Sequence, residues 1–143
     1  MQINQSKRTW DDYKKTVRPE DPLFAIARDG DCFAFQQNQP SPERINQKNV
    51  NGHSALMLAA YHGNFDIVEY ALMRGADPNT SDLAGNSALM GAAFKGDLRL
   101  LELLIQFGAK VDQKNSKNQT ALDFAVMFDK PHIEKYLKSS TNF

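Results

Sequence analysis

The chain is poor in the features that usually announce chemistry. It has one cysteine, Cys32, so no disulfide can form within it and nothing calls for an oxidising compartment. It has no excess of either charge: seventeen Lys and Arg face seventeen Asp and Glu, which argues against a nucleic-acid coat or a polybasic membrane anchor. No apolar run exceeds seven residues even with Gly counted as apolar. A membrane-spanning helix needs about 20 such residues. Met1 to Arg18 carries basic residues with no apolar core behind them, so no signal peptide is expected. The three histidines, His53, His62 and His132, lack i, i+4 spacing and any Cys pair, so no metal site and no cofactor are expected. The acids Asp11-Asp12 and Glu20-Asp21 are sequence neighbours, which suits helix starts and solvated turns better than an acid–base dyad. What remains is 143 residues, 41% apolar and 24% charged, enough for one ordinary domain. The expected setting is reducing and aqueous, most simply the cytoplasm, with a chain that is monomeric alone.

What the chain does have is a period of 33. Gly52 recurs as Gly85; Ser54-Ala55-Leu56-Met57 recurs as Ser87-Ala88-Leu89-Met90 and again as Thr120-Ala121-Leu122-Asp123. Ala59-Ala60 recurs as Ala92-Ala93, and Gly75-Ala76 as Gly108-Ala109. Gly30, Gly63 and Gly96 share one register, and Asn46, Asn79 and Asp112 another. Four units result, at about 19–48, 49–81, 82–114 and 115–138, the first and last degenerate.

Each unit reads as two helices and a turn. Ser54 is a suitable N-cap, and Leu56, Ala59, Ala60 and Gly63 share one face of a first helix whose small residues permit close approach. Gly63 ends that helix. Asn64 is placed to cap the next, as are Asp31 and Asp97 in the same register. The second helix is expected over Phe65 to Arg74, closed by a left-handed turn at Gly75, and a polar stretch containing Pro78 crosses to the following unit.

The 33-residue period, the Ala-Ala pair, the Gly-Ala-Asp-x-Asn turn at Gly75 to Asn79 and the Asp82-x-x-Gly85 turn resemble ankyrin repeats over all but about the first eighteen residues. The resemblance implies an all-α solenoid of stacked antiparallel helix pairs with β-turn fingers. The family's Thr-Pro-Leu-His appears here as Ser-Ala-Leu-Met twice, so Ala55 and Ala88 lack the preset φ of proline and Met57 and Met90 lack an imidazole. The hydrogen bonds of that imidazole must be replaced or lost.

The ends read as caps. The second-helix positions that must bury against a following unit run Val68 and Leu72, then Leu101 and Ile105, then Glu134 and Lys138; charge at the last pair says that no further unit follows. Trp10, Tyr13 and Val17, at i, i+3 and i+7, predict a short helix in residues 1–18 that covers the first unit, and residues 139–143 read as a tail. Gln39-Pro40-Ser41-Pro42 replaces the Gly-Ala-Asp turn, so Gln36 to Arg44 is expected to be an irregular loop.

The face opposite the buried stripe carries Met57, Tyr61 and His62, then Met90, Phe94 and Lys95, then Met127 and Phe128, with Arg28 and Asp29 in the first unit. Aromatic and Met side chains in such a stripe suit a protein–protein interface. In ankyrin repeats the inner helices and finger tips commonly contact partners. By register the fingers here offer Val50, Asn51 and His53, then Leu83, Ala84 and Asn86, then Ser116, Lys117 and Gln119. The function expected is a non-catalytic module that binds another protein, with shielding or inhibition of an enzyme as a specific form. Two rivals make different demands. An enzyme built on Cys32 or a His–carboxylate pair needs a shifted pKa in a pocket; a nucleic-acid binder needs a stripe of unopposed charge, which the acids interleaved with Lys7, Arg8, Lys14, Lys15 and Arg18 deny.

Overall fold

The computed structural model describes residues 19–140. The predicted capping helix with Trp10, Tyr13 and Val17 lies outside them. Among the described residues the helices are α1 (Pro22–Asp29), α2 (Cys32–Gln37), α3 (Pro42–Ile45), α4 (Ala55–Tyr61), α5 (Phe65–Met73), α6 (Ala88–Lys95), α7 (Leu98–Gln106), α8 (Ala121–Met127) and α9 (Pro131–Ser140). Extended pairing among them is confined to a single bridge between Ser81 and Ser87. No described helix is long and apolar enough to cross a membrane.

The inner helices stack in chain order: α1 on α4, α4 on α6, α6 on α8. The second helices form a parallel layer, α2 on α5 and α5 on α7, and α9 closes against α8. Buried Ala59, Ala60, Ala92, Ala93 and Ala125 let the inner helices approach, while Ile67, Val68, Leu100, Leu101 and Leu104 fill the space between layers. The marker positions behave as their chemistry requires: Val68, Leu72 and Leu101 are buried, and at the last unit Lys138 instead pairs with Glu134 at 2.7 Å.

Three inner helices begin in one way. Ser54, Ser87 and Thr120 accept from the backbone N–H three residues on, at 3.2, 3.3 and 3.3 Å. The return bond comes from an unusual acceptor, because the Met57 and Met90 sulfurs accept from the Ser54 and Ser87 N–H at 3.5 and 3.4 Å. Asp123 does the same for Thr120 at 2.9 Å. The thioether thus stands in for the missing imidazole as a weak acceptor. It also draws Met57 and Met90 beneath the helix start, where both are fully buried. The expectation that these two residues face a partner is corrected by that bond.

Two side chains stitch consecutive units. Asn46 donates to the Gly75 carbonyl at 2.9 Å and accepts from the Asp77 N–H at 2.8 Å. One period on, Asn79 donates to the Gly108 carbonyl and accepts from the Lys110 N–H at the same distances. The finger turns are closed by Asn49, Asp82 and Asn115, each accepting two backbone N–H groups two and four residues ahead. Adjacent fingers touch through Leu83 N–H to the Asn51 carbonyl (3.4 Å) and Ser116 N–H to the Ala84 carbonyl (3.0 Å). Gly52 and Gly85 are required there, since a Cβ on either would meet the next finger's backbone at 2.8 and 2.9 Å.

Three local expectations differ from the structure. Asn64 makes no cap bond to α5; its amide reaches back to the Ala27 carbonyl at 2.7 Å and binds the first unit instead, while Asp31 and Asp97 do cap. The stretch read as an irregular loop contains α3, started by Ser41 and Pro42. Arg44 at its end bonds Asp21 at 2.8 and 2.7 Å, and Gln47 bonds it at 2.6 Å, so a polar knot replaces the lost turn. Finally, α9 continues through Ser140, into the segment expected to be a tail.

Candidate partner-binding face

The repeat places side chains from α4, α6 and α8 in a row beneath the fingers. Tyr61, Phe94 and Met127 hold one register at the ends of these helices, and they are not equivalent. Residue 91 of α6 is glycine, and the Tyr61 ring lies in the notch it leaves; a Cβ there would run into the ring. Tyr61 is therefore half-buried. Burial, together with the Asp82 carboxylate to which it is hydrogen-bonded, holds its phenol well above the ordinary tyrosine pKa. His53 stands edge-on to the Tyr61 ring, 5.5 Å between centroids, with Nε2 3.3 Å from Asp82 Oδ2. Asp82 thus closes its own finger with one oxygen and receives the neighbouring unit with the other.

Phe94 is 49% exposed and Phe128 42% exposed, and they meet edge to face with centroids 4.6 Å apart. Leu83 at the finger tip is 79% exposed. Two hollows flank Phe94. One, of about 310 Å³, is lined by Tyr61, Asn86, Gly91, Phe94 and Phe124. The other, of about 290 Å³, shares Asn86, Phe94 and Phe124 and adds residues that include Ala84, Lys117 and Phe128. An exposed run of aromatic side chains over hollows of this size is the usual form of an interaction surface.

The predicted residues fall into three groups. The structure gathers Tyr61, Ala84, Asn86, Phe94, Lys117, Met127 and Phe128 around the two hollows. It leaves Val50, Asn51, Asp29, His62, Leu83 and Lys95 exposed but outside the linings, while Arg28 is tied to Glu20 at 2.8 Å and His53 to Asp82. It buries Met57 and Met90. Phe124 was not anticipated although it lines both hollows. Its register runs Leu58, Gly91, Phe124, and the arrival of an aromatic ring where the preceding unit has a glycine is the signal that could have found it.

Cys32 packs part-buried against the core. Burial, with Asp66, Asp31 and Glu69 nearby, pushes its thiol pKa up, the opposite of what activates a nucleophile. Among the described residues no group of three His, Cys, Asp or Glu is placed to hold a metal ion.

Tandem helix pairs stitched by periodic asparagines and joined through turn fingers define a helical repeat solenoid. The family model for ankyrin repeats (many copies) matches residues 56–105 and 92–137, and the chain belongs to the ankyrin-repeat family. Ankyrin repeats are in general a protein–protein interaction module, and the family is typically non-catalytic.

Proposed function

We propose that this protein binds a partner protein through the face formed by α4, α6, α8 and the fingers, performs no reaction itself, and acts by covering the surface it binds. Shielding or inhibiting an enzyme is a particular case of that action. The observation that carries the reading is the exposed Phe94–Phe128 pair, with Phe94 lining both apolar hollows and Leu83 exposed at a finger tip of the same repeat. The framework beneath it is rigid on physical grounds, because the fingers are closed by side-chain bonds and Tyr61 is locked into the Gly91 notch. A surface ordered before contact loses less conformational freedom on binding.

The test is capture of partners from the native cell by wild type and by a Leu83→Ser/Phe94→Ala variant in parallel. Both positions are largely solvent-facing, so the fold should survive. Interface anchors of this kind contribute about 2 kcal/mol each when truncated, so affinity should fall at least thirtyfold. Equal capture by a folded variant would remove this face from the reading.

A further inference from the structure

We propose that residues 7–18 dock as a short helix on the open edge of the first unit, with Trp10 seated against Phe33. The edge is defined by register. Asp66, Arg99 and His132 hold one position of successive second helices, and each looks back to the unit before it. Asp66 lines a hollow together with Cys32. Arg99 lies over the Phe65 ring, 3.9 Å from its centroid. His132 Nε2 is 2.8 Å from the Gly96 carbonyl oxygen. Phe33 opens this register, so it turns upstream, where the described residues hold no further unit, and it is 62% exposed. Its three counterparts are polar or charged. An aromatic ring in their place gains by leaving water for a contact.

The occupant is argued from length, entry point and charge. Helix α1 has eight residues, about 12 Å, and packs on α2 and α4. Arg18 is followed by Pro19, which suits the end of a helix, and Asp21 caps the start of α1. Residues 19–21 thus have the length of the link in an antiparallel helix pair, about 2–5 residues. A helix that enters this link at Arg18 runs back along α1, and Trp10, eight residues up, stands about 12 Å from the turn. That is the far end of α1, where α2 begins and Phe33 sits. Trp10, Tyr13 and Val17 supply an apolar stripe, and Lys7, Lys14 and Arg18 fall on one flank of it. At the same end of the first unit Asp29 and Asp31 are exposed and paired with no described cation, while Arg28 and Arg44 are taken up by Glu20 and Asp21. The basic flank and these acids are complementary, which favours this orientation of the helix.

Trp10 is the single tryptophan of the chain, so its fluorescence reports the contact directly. In the folded full chain its emission should be blue-shifted from that of the urea-unfolded chain, and its quenching by acrylamide should be several-fold weaker. Phe33→Asp should bring both readings to the unfolded values while far-UV circular dichroism still reports a folded array. Asp66 shows that the register accepts a carboxylate, and an acid in the first turn of a helix is favourable. Met73→Asp, at a residue 71% exposed on the same outer layer one unit on, should leave Trp10 unchanged. A Trp10 as exposed in the folded chain as in urea overturns the docking. A protected Trp10 that ignores Phe33→Asp, or that responds equally to Met73→Asp, overturns it too.

Discussion

Gly91 shows how one missing side chain organises a surface. Elsewhere in its register the chain has Leu58 and Phe124, and only the glycine admits the Tyr61 ring. Gly91→Ala should destabilise the protein by about 1–2 kcal/mol, because the clash outweighs the gain in helix propensity. In a Tyr61→Ala background the same change should become neutral or stabilising; thermal unfolding of the four species decides it, and additive effects would contradict the contact. Asp21 carries a second prediction. The Arg44 guanidinium, with the Leu23 N–H and Gln47, holds its carboxyl well below the ordinary carboxylate range despite partial burial. A carboxylate whose folded pKa is depressed stabilises the fold above its unfolded pKa and loses that contribution as pH falls towards the folded value. The stability gap between wild type and Asp21→Asn should therefore be constant near neutrality and close below about pH 4. A gap that widened on acidification would reverse the sign. At this scale the sequence was readable wherever one residue type has one job, as with Ser54 and Ser87 at helix starts. It misled at Met57 and Met90, because a helical wheel places them outward and carries no information that a thioether can fold back onto its own cap.

Elements are where the period was most legible and where its breaks carry meaning. Asn46 and Asn79 each bridge to the next unit. Asn46→Ala and Asn79→Ala should each cost about 1–2 kcal/mol, since two backbone groups lose partners. Urea denaturation of the two variants checks this, and losses under about 0.5 kcal/mol would refute the bridging role. The finger glycines make a contrast. Gly85 is pressed against Ser116, whereas Asn118 holds the corresponding place one unit on with φ 64° and is exposed. Gly85→Asn should cost about 1–3 kcal/mol by overpacking, and Asn118→Gly should be close to neutral by the same denaturation assay. The first unit was the least readable, because α3 and its Arg44–Asp21 knot replace a repeat turn with contacts between residues 23 apart. No period announces such a pairing. Asn64 failed as a cap for a related reason, since Ala27 and Arg28 offered it carbonyls across the unit boundary.

At the scale of the molecule, contacts among the described residues run within a unit or between neighbouring units, so stability is expected to grade along the chain. The central helices α4, α5 and α6 pack against a helix of each neighbouring unit, whereas among the described residues α9 packs chiefly on α8 of its own unit. Amide exchange should be slowest in α4, α6 and α7 and faster in α9 at the same pH; uniform protection would indicate an all-or-none unit instead. The fold could be read from the sequence because it follows from the period and the ankyrin-like turns. The two hollows could not, because they arise from departures at single positions, Gly91 and Phe124. The relay of finger contacts has one more consequence. The module 82–114 donates to one side and accepts from the other at equivalent atoms, Leu83 N–H to the Asn51 carbonyl and Ser116 N–H to the Ala84 carbonyl. Residues 82–114 thus behave as a cassette with matching plugs, and a copy spliced in directly after itself should lengthen the rod without disturbing either end.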